Sequence, residues 1–146
     1  MPAGDLWTYN PAQCIVIVNG IPMGGWGQDD MLSFEPNSDL SSHIVSPDGV
    51  VTRSILNDLS GLLRLTLGVT SQSNDALDTL TWLTKTVAVG DVFSVKVRDL
   101  NSRREFFGEK VFPRREPDFM VSREAPENEW LFTVAKATIR HRGAFR

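Results

Sequence analysis

Lysine and arginine are missing from the first fifty residues. That stretch carries six acids: Asp5, Asp29, Asp30, Glu35, Asp39 and Asp48. The other 96 residues hold all 15 basic residues and 12 acids, and the whole chain has a formal net charge of −3. A net-acidic chain is a poor match to a general nucleic-acid binder, whose basic footprint is its first signature. The lopsided distribution admits two interpretations. It is chance, since a fold mixes its halves in space, or it marks a head-to-tail contact between an acidic surface and a basic one on the next copy.

Cysteine is nearly absent. One thiol, Cys14, rules out an internal disulfide, and its place in the strand-like "QCIVIVN" predicts a buried, inert side chain. Only two histidines occur, His43 and His141, and they lie far apart in the sequence. No Cys/His cluster has zinc-ligand spacing, and no set of residues fits the logic of nucleophile, base and orienter. A non-enzyme without cofactor or metal is therefore expected. Long apolar runs are lacking too. "CIVIV" is the longest, far short of the roughly 20 residues that span a bilayer as a helix. Met1 to Tyr9 has no basic residue and no apolar h-region, so no signal peptide is expected. No Asn-X-Ser/Thr sequon occurs, which fits a chain that stays in the cytosol where it is made.

Two other motifs invite chemistry and do not sustain it. "NGIPMGGWG" is Gly-rich, but it is neither a dinucleotide fingerprint nor a P-loop, has no lysine, and joins two strands. Arg103-Arg104 and Arg114-Arg115 alternate with Phe106, Phe107, Phe112 and Phe119, as in a single-strand binding platform. Glu105, Glu109, Glu116 and Asp118 neutralise that stretch and favour a salt-bridged strip.

What is present is a globular composition, with 41% hydrophobic and 23% charged residues over 146 positions, enough for the core of one domain. Residues 1–10 read as a docking arm carrying Leu6, Trp7 and Tyr9 between breakers. Gln13 to Val18 is a strand ended by the hairpin signal Asn19-Gly20. Met31 to Glu35 is a second strand, closed by Pro36. Leu62 to Leu67 alternates, with Leu63, Leu65 and Leu67 on one face. The spacing predicts one helix over about residues 73–87, capped by Ser73 or Ser71, with Asp75 and Asp78 in its first turns. Leu77, Leu80, Leu83 or Thr84, and Val87 form its core stripe. Asp91 to Asp99 turns Phe93, Val95 and Val97 inward and Ser94, Lys96 and Arg98 outward. Arg104 to Phe112 pairs back through a turn at Leu100-Asn101-Ser102. A polar loop with three prolines, Pro113 to Glu129, leads to a closing strand at Trp130 to Ile139 and a basic tail at 140–146. About eight strands in sequential hairpins with one helix make a mainly β fold: two packed antiparallel sheets, a sandwich or barrel, with one flanking helix.

One segment does not fit a self-sufficient domain. Residues 40–56 read as a hairpin around Pro47-Asp48-Gly49. Alternation puts Ser41, His43 and Val45 opposite in face to Leu40, Ser42, Ile44 and Ser46. On the second strand it puts Val51, Arg53 and Ile55 opposite to Val50, Thr52, Ser54 and Leu56. Neither face is cleanly apolar, and a lone two-stranded hairpin is marginal in water.

In order along the chain, these pieces resemble tail-tube (tail core) proteins of contractile-tailed bacteriophages. "SPDGVVTRSILNDLSGLLRLTLGVTSQSNDAL" resembles that family's central block: a D-G hairpin, N-D-x-S-G before an alternating strand, then S-x-S-N-D-x-L opening a helix. "YNPAQCIVIVNGIPMGGW" resembles its opening, and "VKVRDLNSRREFFGEKVFPRREPDF" followed by a Glu-Trp strand its second half. The resemblance implies a fold like that of type VI secretion tube proteins, in a structural virion protein. Its copies would form homo-oligomeric hexameric rings with a joined inner barrel, stacked into a tube. Phage DNA would pass through the lumen without specific binding. Tail sheath, baseplate and terminator proteins would be partners, with no membrane involved. Location in the virion tail, after assembly in the host cytoplasm, follows. It also implies a protruding hairpin whose partner is another subunit. The expected interface residues are His43, Ile44, Val45, Asp48, Val51, Arg53 and Ile55, together with Leu6, Trp7 and Tyr9 of the arm. Arg64, Lys96 and Arg98, on outward strand faces, are expected on the outer wall or at subunit contacts, because fixed cations in a lumen would hold phosphates. The competing readings are an adaptor or terminator ring, a tube subunit of a related injection machine, and a ligand-binding β-barrel or small enzyme.

Overall fold

Strand pairing accounts for most of the chain. In the computed structural model, residues 9–10, 13–26, 31–86 and 93–142 are described. Their elements run β1 (Cys14–Val18), β2 (Ile21–Pro22), β3 (Leu32–Pro36), β4 (Ser41–Val45), β5 (Val51–Ile55), β6 (Gly61–Gly68), α1 (Ser73–Thr86), β7 (Phe93–Asp99), β8 (Glu105–Arg115) and β9 (Glu127–Arg140). Two antiparallel sheets result: seven strands in the order β2-β1-β7-β8-β9-β6-β3, and the separate pair β4-β5. The mainly β, antiparallel, one-helix expectation holds.

The layering of the sandwich comes from the large sheet folding over on itself. Phe34 on β3 and Phe106 on β8 are three strand steps apart, about 14 Å in a flat sheet. Their ring centroids are 4.9 Å apart. Phe93 and Phe132, two steps apart on β7 and β9, meet edge to face at 5.7 Å. Beyond β2, Trp26 bridges to Leu67, and the Gly68 amide donates to the Gly25 carbonyl at 2.8 Å, so this end of the sheet is drawn almost shut. The inner face holds Val16, Val18, Leu63, Leu65, Leu67, Phe93, Val95, Phe106, Val111, Trp130, Phe132 and Val134. The alternation expected of Leu63, Leu65 and Leu67, and of Phe93 and Val95, is what buries them.

Local chemistry sets the corners. Asn19 and Gly20 take φ of 51° and 81°, the left-handed pair that a two-residue hairpin needs between β1 and β2. Gly61, where β6 starts, lies against β3: a Cβ there would strike the Phe34 ring and sit 2.6 Å from the Glu35 carbonyl oxygen. β8 bulges between Phe93 and Val95 of its partner, with Lys110 at φ 54°.

Three sequence expectations are revised. The polar loop is shorter than Pro113 to Glu129. β8 extends to Arg115 and β9 begins at Glu127, because β6 pairs along its whole length, up to Gly68 opposite Glu127. The helix stripe turns toward Ala76, Leu77, Leu80 and Thr81. Thr81 is buried because its hydroxyl donates to the Leu77 carbonyl at 2.9 Å. Leu83 is partly buried, and Thr84 and Val87 lie outside the side chains described. Cys14 is partly buried, on the lip of a cleft.

The helix start explains the Gly-rich segment. Ser71 Oγ donates to the Gly24 carbonyl at 2.6 Å, and Ser73 Oγ accepts from the Gly24 amide at 2.8 Å. Ser71 Oγ also receives the Ser73 amide at 3.3 Å, so both serines foreseen as caps serve the helix entrance. The loop after β2 is a clamp on α1, as loop geometry suggested.

Candidate assembly surfaces

The hairpin β4-β5 pairs Ser41 with Ile55, Ser42 with Ser54, His43 with Arg53, Ile44 with Thr52 and Val45 with Val51. The Ser46 amide donates to the Val50 carbonyl, and the Gly49 amide to the Ser46 carbonyl, closing the tip around Asp48. Alternation along this register gives one face of His43, Val45, Val51, Arg53 and Ile55. The other carries Ile44 among Ser42, Thr52 and Ser54. All ten strand residues are exposed. Ile44 is 69% and Ile55 66% accessible, values far from those of a core. Five paired residues project about 17 Å. Seven of the expected interface residues are thus brought together on one projecting ribbon. Leu6 and Trp7 lie outside the described residues.

Tyr9 sits elsewhere. It lines a cleft of about 290 Å³ with Cys14, Asp99, Arg104 and Phe106, and stays 60% exposed. Its neighbour Asn10 is held on both backbone polar groups by the Asn101 side chain, at 2.9 and 2.7 Å. The arm's junction is therefore tied to the turn between β7 and β8.

That turn is organised by Asp99, which is only 5% exposed. Its carboxylate accepts from Arg104 Nε at 3.1 Å and Nη2 at 2.6 Å, from the Asn101 amide at 2.9 Å, and from Ser102 Oγ at 3.2 Å. Burial alone would push the carboxyl pKa up. The bonds from Arg104 and Asn101 outweigh it and bring it down to about 2. Burial and the nearby Asp99 charge push the Cys14 thiol up, which keeps it protonated and a weak nucleophile. The sequence showed a turn here but gave no sign of a charged hub, because a turn signal at Leu100-Asn101-Ser102 does not say which side chains gather around the aspartate that precedes it.

The expected salt-bridged strip is present in part. Arg115 pairs with Asp118 at 3.2 Å and Arg98 approaches Glu105 at 4.0 Å, while Arg64 pairs across strands with Glu129 at 3.1 Å. Phe106 is inside, whereas Phe107 and Phe112 face outward, so these rings do not form one stacking platform.

Sequence reasoning missed one surface. In the loop 116–126 between β8 and β9, Phe119 is 96% and Val121 84% exposed, with Met120 between them also exposed. The signal was available in "DFMVS", but the surrounding prolines and charges made the whole stretch read as polar. Among the described residues, no group of three or more His, Cys, Asp or Glu side chains could hold a metal ion. No helix among them is long and apolar enough to cross a membrane.

No protein-family model matches the chain. It is similar to the structural protein ORF10 of Pseudomonas phage KPP10, with 24% identity over 148 residues covering 97% of this chain and 86% of that protein. Its fold is shared by several solved structures, three of which follow. The tube-terminating cap of the anti-feeding prophage aligns with a TM-score of 0.62 and 11% identity, over 96% of this chain and 95% of its own. The sheath/tube terminator of the PVC extracellular contractile injection system aligns at 0.64 and 12%, over 93% and 99%. A chain of the PVC sheath-tube complex aligns at 0.62 and 11%, over 92% of each. The tail-tube-like resemblance therefore stands at the level of fold.

Proposed function

We propose that this chain is a ring-forming structural subunit in the axial tube line of a contractile phage tail or a related injection machine. The observation that carries this role is the β4-β5 ribbon: an apolar-bearing hairpin, wholly exposed, on a fold shared with tube and terminator proteins. Exposed apolar surface of this kind belongs to interaction sites. The open outer edge of β3 and the two-residue β2 at the other end of the sheet suit lateral pairing between copies, which removes the liability of free strand edges.

Two positions in that line fit. Two of the three solved structures described above come from terminator assemblies, which favours a terminating ring at least as well as a place in the tube wall. In either position the copies form rings, as the open lateral edges of the sheet lead one to expect; sheath, baseplate and tube proteins are the partners. DNA crosses the lumen, and the virion tail is the site of action after assembly in the host cytoplasm.

Negative-stain electron microscopy of the purified protein over a concentration series tests the proposal. Closed rings or hollow tubes are expected. A monodisperse small particle at every concentration, including with the hairpin intact, overturns it.

A further inference from the structure

The β4-β5 ribbon is a sheet of its own, and all ten of its strand residues are exposed. Its angle to the body is therefore set where the chain enters and leaves it. The two connections are unequal: residues 37–40, four in number, join β3 to β4, and residues 56–60, five in number, join β5 to β6. An extra residue on one strand of an antiparallel pair bends it. On the body side of this joint the ladder of β3 and β6 runs one step past Pro36 and Gly61, where the Asn37 amide donates to the Ser60 carbonyl at 3.1 Å. The Leu59 carbonyl is held on the same side, accepting from the Ala137 amide of β9 at 2.9 Å. On the ribbon side the Leu56 amide donates to the Leu40 carbonyl at 3.0 Å. Asp58 spans the gap between them. Its Oδ1 accepts from the Ser60 amide at 2.9 Å and from the Ser60 hydroxyl, whose oxygen in turn receives Asn37 Nδ2 at 3.1 Å. Its Oδ2 accepts from the Ser38 hydroxyl on the opposite connection at 2.8 Å.

We infer that Asp58 is a positioning residue: its carboxylate fixes the direction in which the ribbon leaves the body, and without it the ribbon swings about the joint. The inference deepens the proposed ring-forming role of the ribbon and rests on it. Three observations carry it. One side chain ties both connections together, gripping Ser60 on the body side and Ser38 on the way to β4. Its bonds are open to water, where each adds little net stability, and none of these residues belongs to the core. The network therefore aims the ribbon and does not hold the fold. The ribbon is also a lever. It is about 17 Å long, so a swing of roughly 20° at its root carries the tip about 6 Å, more than the spacing between two strands. A ribbon that points wrongly misses its partner by a whole strand. Fixing its direction before contact removes an ordering cost that would otherwise fall on assembly. The stretch "NDLSG" thereby acquires a physical reason. Asp58 supplies the carboxylate, Ser60 the hydroxyl and amide it grips, and Gly61 the close approach to β3.

The test uses the full chain in a Cys14→Ser background, with spin labels at Thr52→Cys on the ribbon and Ser94→Cys on β7, both exposed sites. Pulsed dipolar spectroscopy on dilute, unassembled protein reads the distance between them. One narrow distribution is expected with Asp58 in place. Asp58→Ala is expected to broaden it while the urea midpoint stays where it was. Ser38→Ala removes the cross-strand bond alone and should broaden it too, whereas Asp58→Asn keeps an acceptor and should fall between. If the released ribbon points correctly about a fifth of the time, the protein concentration needed for assembly rises about fivefold. A distribution equally narrow in Asp58→Ala, or already broad with Asp58 in place, overturns the assignment. A lowered urea midpoint overturns it as well, since Asp58 would then be holding the fold. A broadened distribution with assembly at an unchanged concentration upholds Asp58 as the residue that aims the ribbon and overturns the ribbon's part in ring formation.

Discussion

The indole Nε1 of Trp130 donates a hydrogen bond to Asn74 Oδ1 at 2.9 Å. It joins the first residues of the longest strand to the first turn of the only described helix, across 56 positions of sequence. The same Asn74 amide group donates to the Gly68 carbonyl at 2.9 Å and the Ser71 carbonyl at 3.1 Å. One side chain therefore satisfies the end of β6, the helix entrance and the buried tryptophan together.

Asn74→Ala leaves a buried indole N–H and two carbonyls without that partner. The expected loss is about 1–3 kcal/mol, read as a lower urea midpoint with an unchanged slope. Asn74→Asp keeps the acceptor for Trp130 and loses both donations, so it should fall between wild type and Asn74→Ala. An unchanged midpoint for Asn74→Ala would remove the hub.

Gly61→Ala places a methyl group against the Phe34 ring and 2.6 Å from the Glu35 carbonyl oxygen. Backbone on that side cannot rotate away, so β3 must shift. A cost of about 1–3 kcal/mol is expected, as in other overpacked sites. Thermal unfolding of the purified variant checks it, and a midpoint equal to wild type contradicts the close approach.

Acid should weaken the fold through Asp99. Its carboxyl is brought from 3.8 to about 2 in the folded chain. A lowered folded pKa adds stability that is present above the unfolded value and lost as pH falls from about 4 to about 2. Arg104 is half-exposed and screened, so the contribution is about 1–2 kcal/mol. Asp99→Asn should be less stable at pH 7 and show a shallower loss between pH 4 and 2. Parallel curves for the two proteins would exclude Asp99 as the titrating group.

Replacing residues 43–53 with Asn-Gly keeps the Ser42–Ser54 pair in a two-residue hairpin. The removed residues contribute nothing to the core, so circular dichroism and the urea midpoint should match wild type. Assembly should be lost in sedimentation and microscopy. A variant that still assembles shows that the ribbon is dispensable.

Much of the fold was legible because its signals are local. Alternation marked Leu63, Leu65 and Leu67 as a buried face, and Asn-Gly and Pro-Asp-Gly marked two turns by the backbone angles they tolerate. The hairpin's mixed faces were also visible, since a period of two needs no tertiary knowledge. The register then placed His43 opposite Arg53, and Val45 opposite Val51. The polar reading of "PDFMVS" failed for the converse reason: prolines and charges announce a loop, but they do not say whether its apolar residues turn inward.

The amino-acid order by itself determined the elements, their faces and the presence of a ribbon that no core of its own could cover. Three things were decided only in three dimensions. The large sheet curls until Phe34 meets Phe106. Asp99 is buried and held by Arg104. Phe119 to Val121 stand exposed at the end of β6-β9 opposite the ribbon. Each depends on strands distant in sequence being brought side by side, and side-chain periodicity carries no information about which strands those are.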